Sequence, residues 1–148
     1  DSLDKMFKDN SMYAIGRPQN IFTIGTKKYK YLSFVPNMYV TDNHIYLVVS
    51  FKNLGSVDYQ MNYQEFSIKN KPGIFRKRGF ENIRKAPVFI FNQITVVPSG
   101  ETRTMVLVFD KFTIDKKKKF SLEFWEENGD RRVIVDVSYK AIINMRYL

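Results

Sequence analysis

Between Phe120 and Ser138, apolar and polar residues alternate on either side of Asn128-Gly129, a dipeptide that tolerates φ > 0 at both central positions of a type I′ turn. A two-residue loop there sets Glu127 opposite Asp130 and fixes every later pair. Phe124 then meets Val133, Leu122 meets Val135 and Phe120 meets Val137, so one face of the hairpin is wholly apolar. Near the turn the same register sets Glu126 against Arg131 and Trp125 against Arg132, the latter a candidate cation–π pair.

The same period of two recurs upstream. Ile45, Leu47, Val49 and Phe51 share one face of a strand over Ile45–Asn53, while Tyr46, Val48, Ser50 and Lys52 share the other, which is predicted to be only partly solvated. Met105, Leu107 and Phe109 alternate with Thr104, Val106 and Val108 in the same way. Over Met61–Lys69 the faces change midway: Met61, Tyr63 and Glu65 lie on one side, Phe66 and Ile68 on the other. That change of parity predicts a bulge or a crossing between sheets. Val88–Phe91 is a continuous apolar run opened by Pro87, fit for an edge or a doubly buried strand, and Tyr29–Val40 is a strand interrupted at Pro36-Asn37.

Turn signals at Thr41–His44, Leu54-Gly55-Ser56 and Pro98-Ser99-Gly100 separate these runs. About seven strands at this spacing predict an all-β fold, a single two-layer antiparallel β-sandwich of Ig-like type, over residues 29–148. Residues 1–28 read as a lead segment or linker. One helical turn is expected at Ser2–Phe7 with Ser2 as N-cap, then irregular chain. Lys71–Ala86 reads as a long basic loop, and Lys140–Leu148 is too short to assign.

Length and composition narrow this picture. A chain of 148 residues suits one domain that buries roughly two-thirds of its unfolded surface. Lys and Arg number 24 against 15 acids, and the formal charge of +9 favours anionic partners: nucleic acid, a lipid headgroup or an acidic protein face. The absence of cysteine removes disulfides, thiolate metal sites and a Cys nucleophile. No apolar run approaches the ~20 residues that span a bilayer, and the start at Asp1 without a signal-type segment suggests a mature or trimmed fragment.

Candidate chemistry is sparse. His44, the one imidazole, falls in a polar turn with no second His or Cys to share a metal. Glu126, Glu127 and Asp130 gather at a hairpin tip without a second wall, and the pair Asp110 and Asp115 is followed by four lysines that repel a cation. No catalytic residue, metal site or cofactor is expected, and the chain reads as a non-enzyme. The basic clusters are the strongest signal: Lys27-Lys28-Lys30, Arg76-Lys77-Arg78 with Arg84-Lys85, Lys116–Lys119, and Arg131-Arg132. Arg76, Lys77, Arg78, Arg84 and Lys85 are the candidate partner-binding residues. Lys116–Lys119, at the mouth of a strand, are expected to guard it against edge pairing.

A nucleic-acid-binding β-domain is the alternative, with Tyr29, Tyr31 and Tyr39 as possible base-stacking platforms. A binder of that kind gathers Lys and Arg along one groove beside exposed aromatics. An assembly domain scatters them and exposes an apolar or edge-strand patch.

Two stretches, in order and at matching spacing, carry a family resemblance. The first is Ile45–Asn53, followed by Val57-Asp58-Tyr59 and Phe66-Ser67-Ile68-Lys69. The second runs from Phe112-Thr113-Ile114-Asp115-Lys116-Lys117 through Glu126-Glu127-Asn128-Gly129-Asp130-Arg131 to Ile142-Ile143-Asn144-Met145-Arg146. Together they resemble the C-terminal domain of the TraN family of Bacteroides-type conjugative transposons, over roughly residues 29–148. A proline in that family's version of the second stretch is absent here, where Asp115 directly follows Ile114.

The resemblance implies a non-enzymatic subunit of a type IV secretion-like conjugation apparatus, periplasmic and associated with the outer membrane. It is similar to the periplasmic subunit that helps build the outer-membrane core ring. Its implied partners are the scaffold subunit that spans the periplasm and a small lipoprotein, and it is oligomeric in the assembled complex. An N-terminal domain expected in the full-length family member would lie outside this chain.

Overall fold

Apolar residues at every second position drive most of this chain into strands. The structure, a computed structural model, describes residues 1–71 and 82–148. In chain order these form α1 (Ser2–Gly16), β1 (Gly25–Lys28), β2 (Tyr31–Val40), β3 (His44–Asn53), β4 (Tyr59–Asn70), β5 (Ile83–Arg84) and β6 (Phe89–Phe91). They continue with β7 (Val96–Val97), β8 (Thr102–Asp110), β9 (Lys118–Glu126), β10 (Arg132–Ser138), α2 (Tyr139–Ile143) and β11 (Arg146–Tyr147). One sheet has the order β1-β2-β3-β8-β6, with β11 beside β2; the other has the order β10-β9-β4-β5, with β7 beside β4. Among the described residues all strand pairs are antiparallel except β11 on β2. The result is an all-β sandwich.

The main core fills the space between the sheets: Ile45, Leu47, Val49 and Phe51 of β3 and Met105, Leu107 and Phe109 of β8 face Phe66, Phe120, Leu122 and Phe124. Phe51 meets Phe124 edge-on at 4.8 Å between ring centres, and Phe109 meets Phe120 at 5.3 Å. Two bulges keep apolar residues aimed inward. In β2 the register shifts between Phe34 and Asn37, so odd residues Tyr31 and Val35 face the core before it and even residues Met38 and Val40 after it. In β4 the expected bulge is present but falls earlier, between Met61 and Tyr63, so that Met61 joins the core while Tyr63 lies exposed on the other face, apart from Met61.

The terminal hairpin has the derived register, with Phe120 opposite Val137, Leu122 opposite Val135, Phe124 opposite Val133 and Trp125 opposite Arg132. Its turn differs from expectation. Of the central residues only Asn128 takes positive φ, at 56°, so the loop is not type I′, and parity rather than turn type holds the register. Trp125 packs on Tyr63 at 4.9 Å, and Arg132 directs its guanidinium to Glu123 at 3.9 Å instead of to the indole.

Three other expectations are corrected, and the unassigned C-terminal stretch takes a definite structure. The break in the first strand lies at Tyr29-Lys30, whose φ values of 55° and 64° make a tight turn between β1 and β2, while Pro36 stays inside β2 at its bulge. Ile83-Arg84, expected in the loop, pairs with Ser67 and Ile68 of β4. The C-terminal residues form α2, N-capped by Ser138, and β11. Lastly, residues 1–28 hold a 15-residue helix, not one turn, and its N-cap is Asp1, whose side chain accepts from Leu3 N.

The helix forms because Phe7, Ser11 and Ala14 recur on one side and the outer face of the first sheet needs covering. That face presents Tyr39, Tyr46, Val48, Val106 and Val108, all buried beneath α1. Asn10 Nδ2 donates to the Tyr46 hydroxyl at 2.9 Å, and Arg17, before Pro18, leaves the helix in an extended conformation.

Candidate interaction surface

His44 opens β3, half-buried, edge-on to Phe7 at 4.7 Å and 3.6 Å from the Asp110 carboxylate. It is wedged between helix and sheet, not free in a turn. Among the described residues no group of three His, Cys, Asp or Glu side chains is placed to hold a metal. The structure does bring two carboxylates together that sequence reasoning missed, because their juxtaposition depends on the β4–β9 register: Glu65 lies opposite Glu123 on the outward face of the second sheet. Arg84 pairs with Glu65, and Lys69 (3.1 Å) and Arg132 (3.9 Å) with Glu123. These cations balance the repulsion of two opposed acids.

Of the candidate partner-binding residues, Arg76, Lys77 and Arg78 lie outside the described residues. Arg84 sits on β5 in its ion pair with Glu65, and Lys85 places its ammonium 5.4 Å from the centre of the Phe112 ring. Further cations lie at each end of the sandwich. At one, Lys118 pairs with Asn70 and Lys119 with Lys69 across β9 and β4, and Lys71 N donates to Lys117 O at 3.0 Å. At the other, Lys28 closes β1 beside Tyr31, next to Lys30 in the turn. Tyr31 and Tyr39 are each 1% exposed, so neither can stack a base; Tyr29 is 43% exposed.

Arg131 anchors a cap over that second end. Its guanidinium pairs with Glu126 and lies 5.0 Å from the Tyr31 ring centre and 5.5 Å from that of Tyr59. The Tyr59 hydroxyl donates to Arg131 O at 2.9 Å and to Phe124 O at 3.3 Å; burial pushes its pKa up, as it does that of Tyr31. The hydrogen bond to Glu126 holds Arg131 still more firmly in its charged form. Beside them Asn53 Nδ2 donates to Val57 O (2.9 Å) and Val97 O (3.0 Å), tying the β3–β4 loop to β7. Every polar group named here has its partner within the chain, which marks a structural closure.

The open region is elsewhere on β2. Residues 19–24 run as a strap along its edge, between β1 and β11. Pro36 O accepts from Asn20 N and Ile21 N, at 3.2 and 3.0 Å, because the bulge turns that carbonyl outward. Buried Asn37 fixes the same stretch, its Oδ1 accepting from Asn20 N and its Nδ2 donating to Arg17 O. Val35 N, donating to Ile24 O at 3.1 Å, holds the strap's other end.

On one side of the strap lies a cleft of about 510 Å³ with an apolar floor of Ile21, Ile24, Met38, Ala141 and Met145 and with Lys140 and Arg146 on its rim. On the other lies one of about 440 Å³, bounded by Leu32, Phe34 and Lys27. Residues Ile21 to Ile24 line both clefts, and Phe22, 77% exposed, belongs to this shared wall. No carboxylate lines either cleft among the described residues. Sequence reasoning misses this site because residues 19–24 lack a strand or helix period; the signal is Ile21, Phe22 and Ile24, three large apolar residues in six.

A family model described as "Domain of unknown function (DUF4138)" matches residues 6–147. No curated protein and no solved structure matches the chain.

Proposed function

Since the chain belongs to the DUF4138 family, we propose that it acts within that family as a non-enzymatic assembly domain of a conjugative, type IV secretion-like transfer apparatus, working through protein–protein contacts. The observation that carries this reading is the strap with its two clefts, where a phenylalanine ring stands in solvent over apolar floors. A large exposed aromatic beside a concave apolar surface is what a protein partner covers. The spread of cations to both ends of the sandwich, with Tyr31 and Tyr39 buried, supports assembly over nucleic-acid binding. The resemblance to the TraN family supplies the apparatus, a periplasmic, outer-membrane-associated location, and the scaffold subunit and small lipoprotein as partners.

The test is a tagged chain expressed in cells that carry the whole transfer operon, crosslinked and purified. Recovery of apparatus subunits, with loss of DNA transfer when the chain is deleted, is expected. Normal transfer without it, and no subunit recovered, overturns the reading. Retention of single-stranded DNA by the purified chain, weakening steeply with salt, would establish the nucleic-acid-binding alternative instead. The basic stretch is tested in the same cells: reversing Arg76, Lys77 and Arg78 to Glu is expected to leave Tm nearly unchanged and to lower both transfer and partner recovery. Unchanged transfer and recovery would remove those residues from the contact.

A further inference from the structure

We infer that the two clefts beside Phe22 form one docking groove for an extended segment of another protein, a segment that carries an acidic residue flanked by apolar ones. This rests on the assembly reading above and names what one of its surfaces recognises. The floors are apolar and their shared wall, Ile21 to Ile24, is only a few residues long, so a strand-like segment crossing it could place an apolar side chain in each cleft. In an extended chain, side chains on one face recur about every 7 Å, a spacing that suits two adjacent hollows.

Charge specifies the rest. Lys140 and Arg146 are exposed on the rim of the larger cleft. Among the described residues neither has a carboxylate within ion-pair distance, whereas Lys69, Arg84, Lys119, Arg131 and Arg132 each have one. Two unpaired cations over an apolar floor, with no acid in the lining, leave a carboxylate as the complementary group. They would hold it by charge-assisted hydrogen bonds. A nucleic-acid strand fits less well, since it needs a track of cations along its backbone and most of this lining is uncharged.

A display library of random twelve-residue peptides, selected on the full chain and counter-selected on a Phe22→Ala, Lys140→Glu, Arg146→Glu variant, tests this. All three positions are exposed, so the variant is expected to keep the wild-type circular dichroism and Tm. Enriched peptides are expected to be acidic and apolar, to shift the amides of residues 20–27 and 138–147 in NMR spectra, and to bind the variant at least tenfold more weakly. Enrichment of basic peptides, shifts confined to other residues, equal binding by the variant, or no enrichment at all would overturn the inference. So would shifts of the same amides by single-stranded DNA but not by the peptides. If the peptides fail while apparatus subunits still co-purify with the chain, the groove falls and the assembly reading stands. If they bind and the deletion strain still transfers DNA, the reverse holds.

Discussion

The Arg131 cap and the Phe22 cleft are both built on β2, one at Tyr31 and the other at Met38, and both combine apolar or aromatic groups with cations. In the cap the chain completes every contact itself: Arg131 pairs with Glu126, its guanidinium lies against two rings, and the Tyr59 hydroxyl is bonded twice. In the cleft, Lys140 and Arg146 have no ion-pair partner among the described residues, and Phe22 is 77% exposed. Residue type does not separate a closed cluster from an open one. Whether the fold supplies the partners does.

Both regions rest on one core, and the largest expected effect tests that. Leu122→Ala, at a fully buried site facing Val135, should cost about 2–5 kcal/mol. Trp125 fluorescence and the helical circular dichroism signal should then report a single shifted transition. Separate transitions would mean that α1 and the hairpin are not one unit.

Arg131→Ala comes next, at about 2 kcal/mol, because it strips Glu126 of a charge-assisted partner and uncovers two tyrosine rings. Arg131→Lys should recover only part of this, since an ammonium lacks the planar fork. A cost below that of an ordinary surface substitution, measured by urea titration, would break the distinction between cap and cleft.

Tyr59→Phe should cost about 1 kcal/mol and change the alkaline behaviour of the fold. Burial raises the Tyr59 pKa above its ordinary 10.0, so below pH 10 the hydroxyl is neutral both folded and unfolded and stability is at its full value. As pH climbs past 10, the unfolded chain releases a proton that the folded chain retains, and stability falls. The wild type should therefore lose stability above pH 10 more steeply than Tyr59→Phe does; equal slopes would contradict the burial argument. Phe22→Ala is the smallest, within about 0.5 kcal/mol of wild type, as expected where a side chain packs against little.

The hairpin and the inner faces of β3 and β8 were legible because neighbours in sequence determine them. A turn at Asn128-Gly129 and alternation at Phe120, Leu122 and Phe124 set the pairing whatever the turn type. Gly129 does not take positive φ there, and a Cβ at that position would displace the Glu126 carboxylate. The helix was misread because what holds it, Tyr46, Val48, Val106 and Val108, lies at positions that alternation alone assigns to a part-solvated face. The cleft was invisible for a similar reason. Ile21, Met38, Ala141 and Met145 meet only once Pro36 bulges and β11 returns beside β2, contacts distant in sequence.

The most direct test of the account places a photo-reactive p-benzoylphenylalanine at position 22, in the cleft, or at position 128, at the hairpin tip beside the cap, in cells carrying the transfer operon. Crosslinks to a subunit of the proposed apparatus from position 22, and none from position 128, are the predicted result. Crosslinks from position 128 alone, or none from position 22, would contradict it.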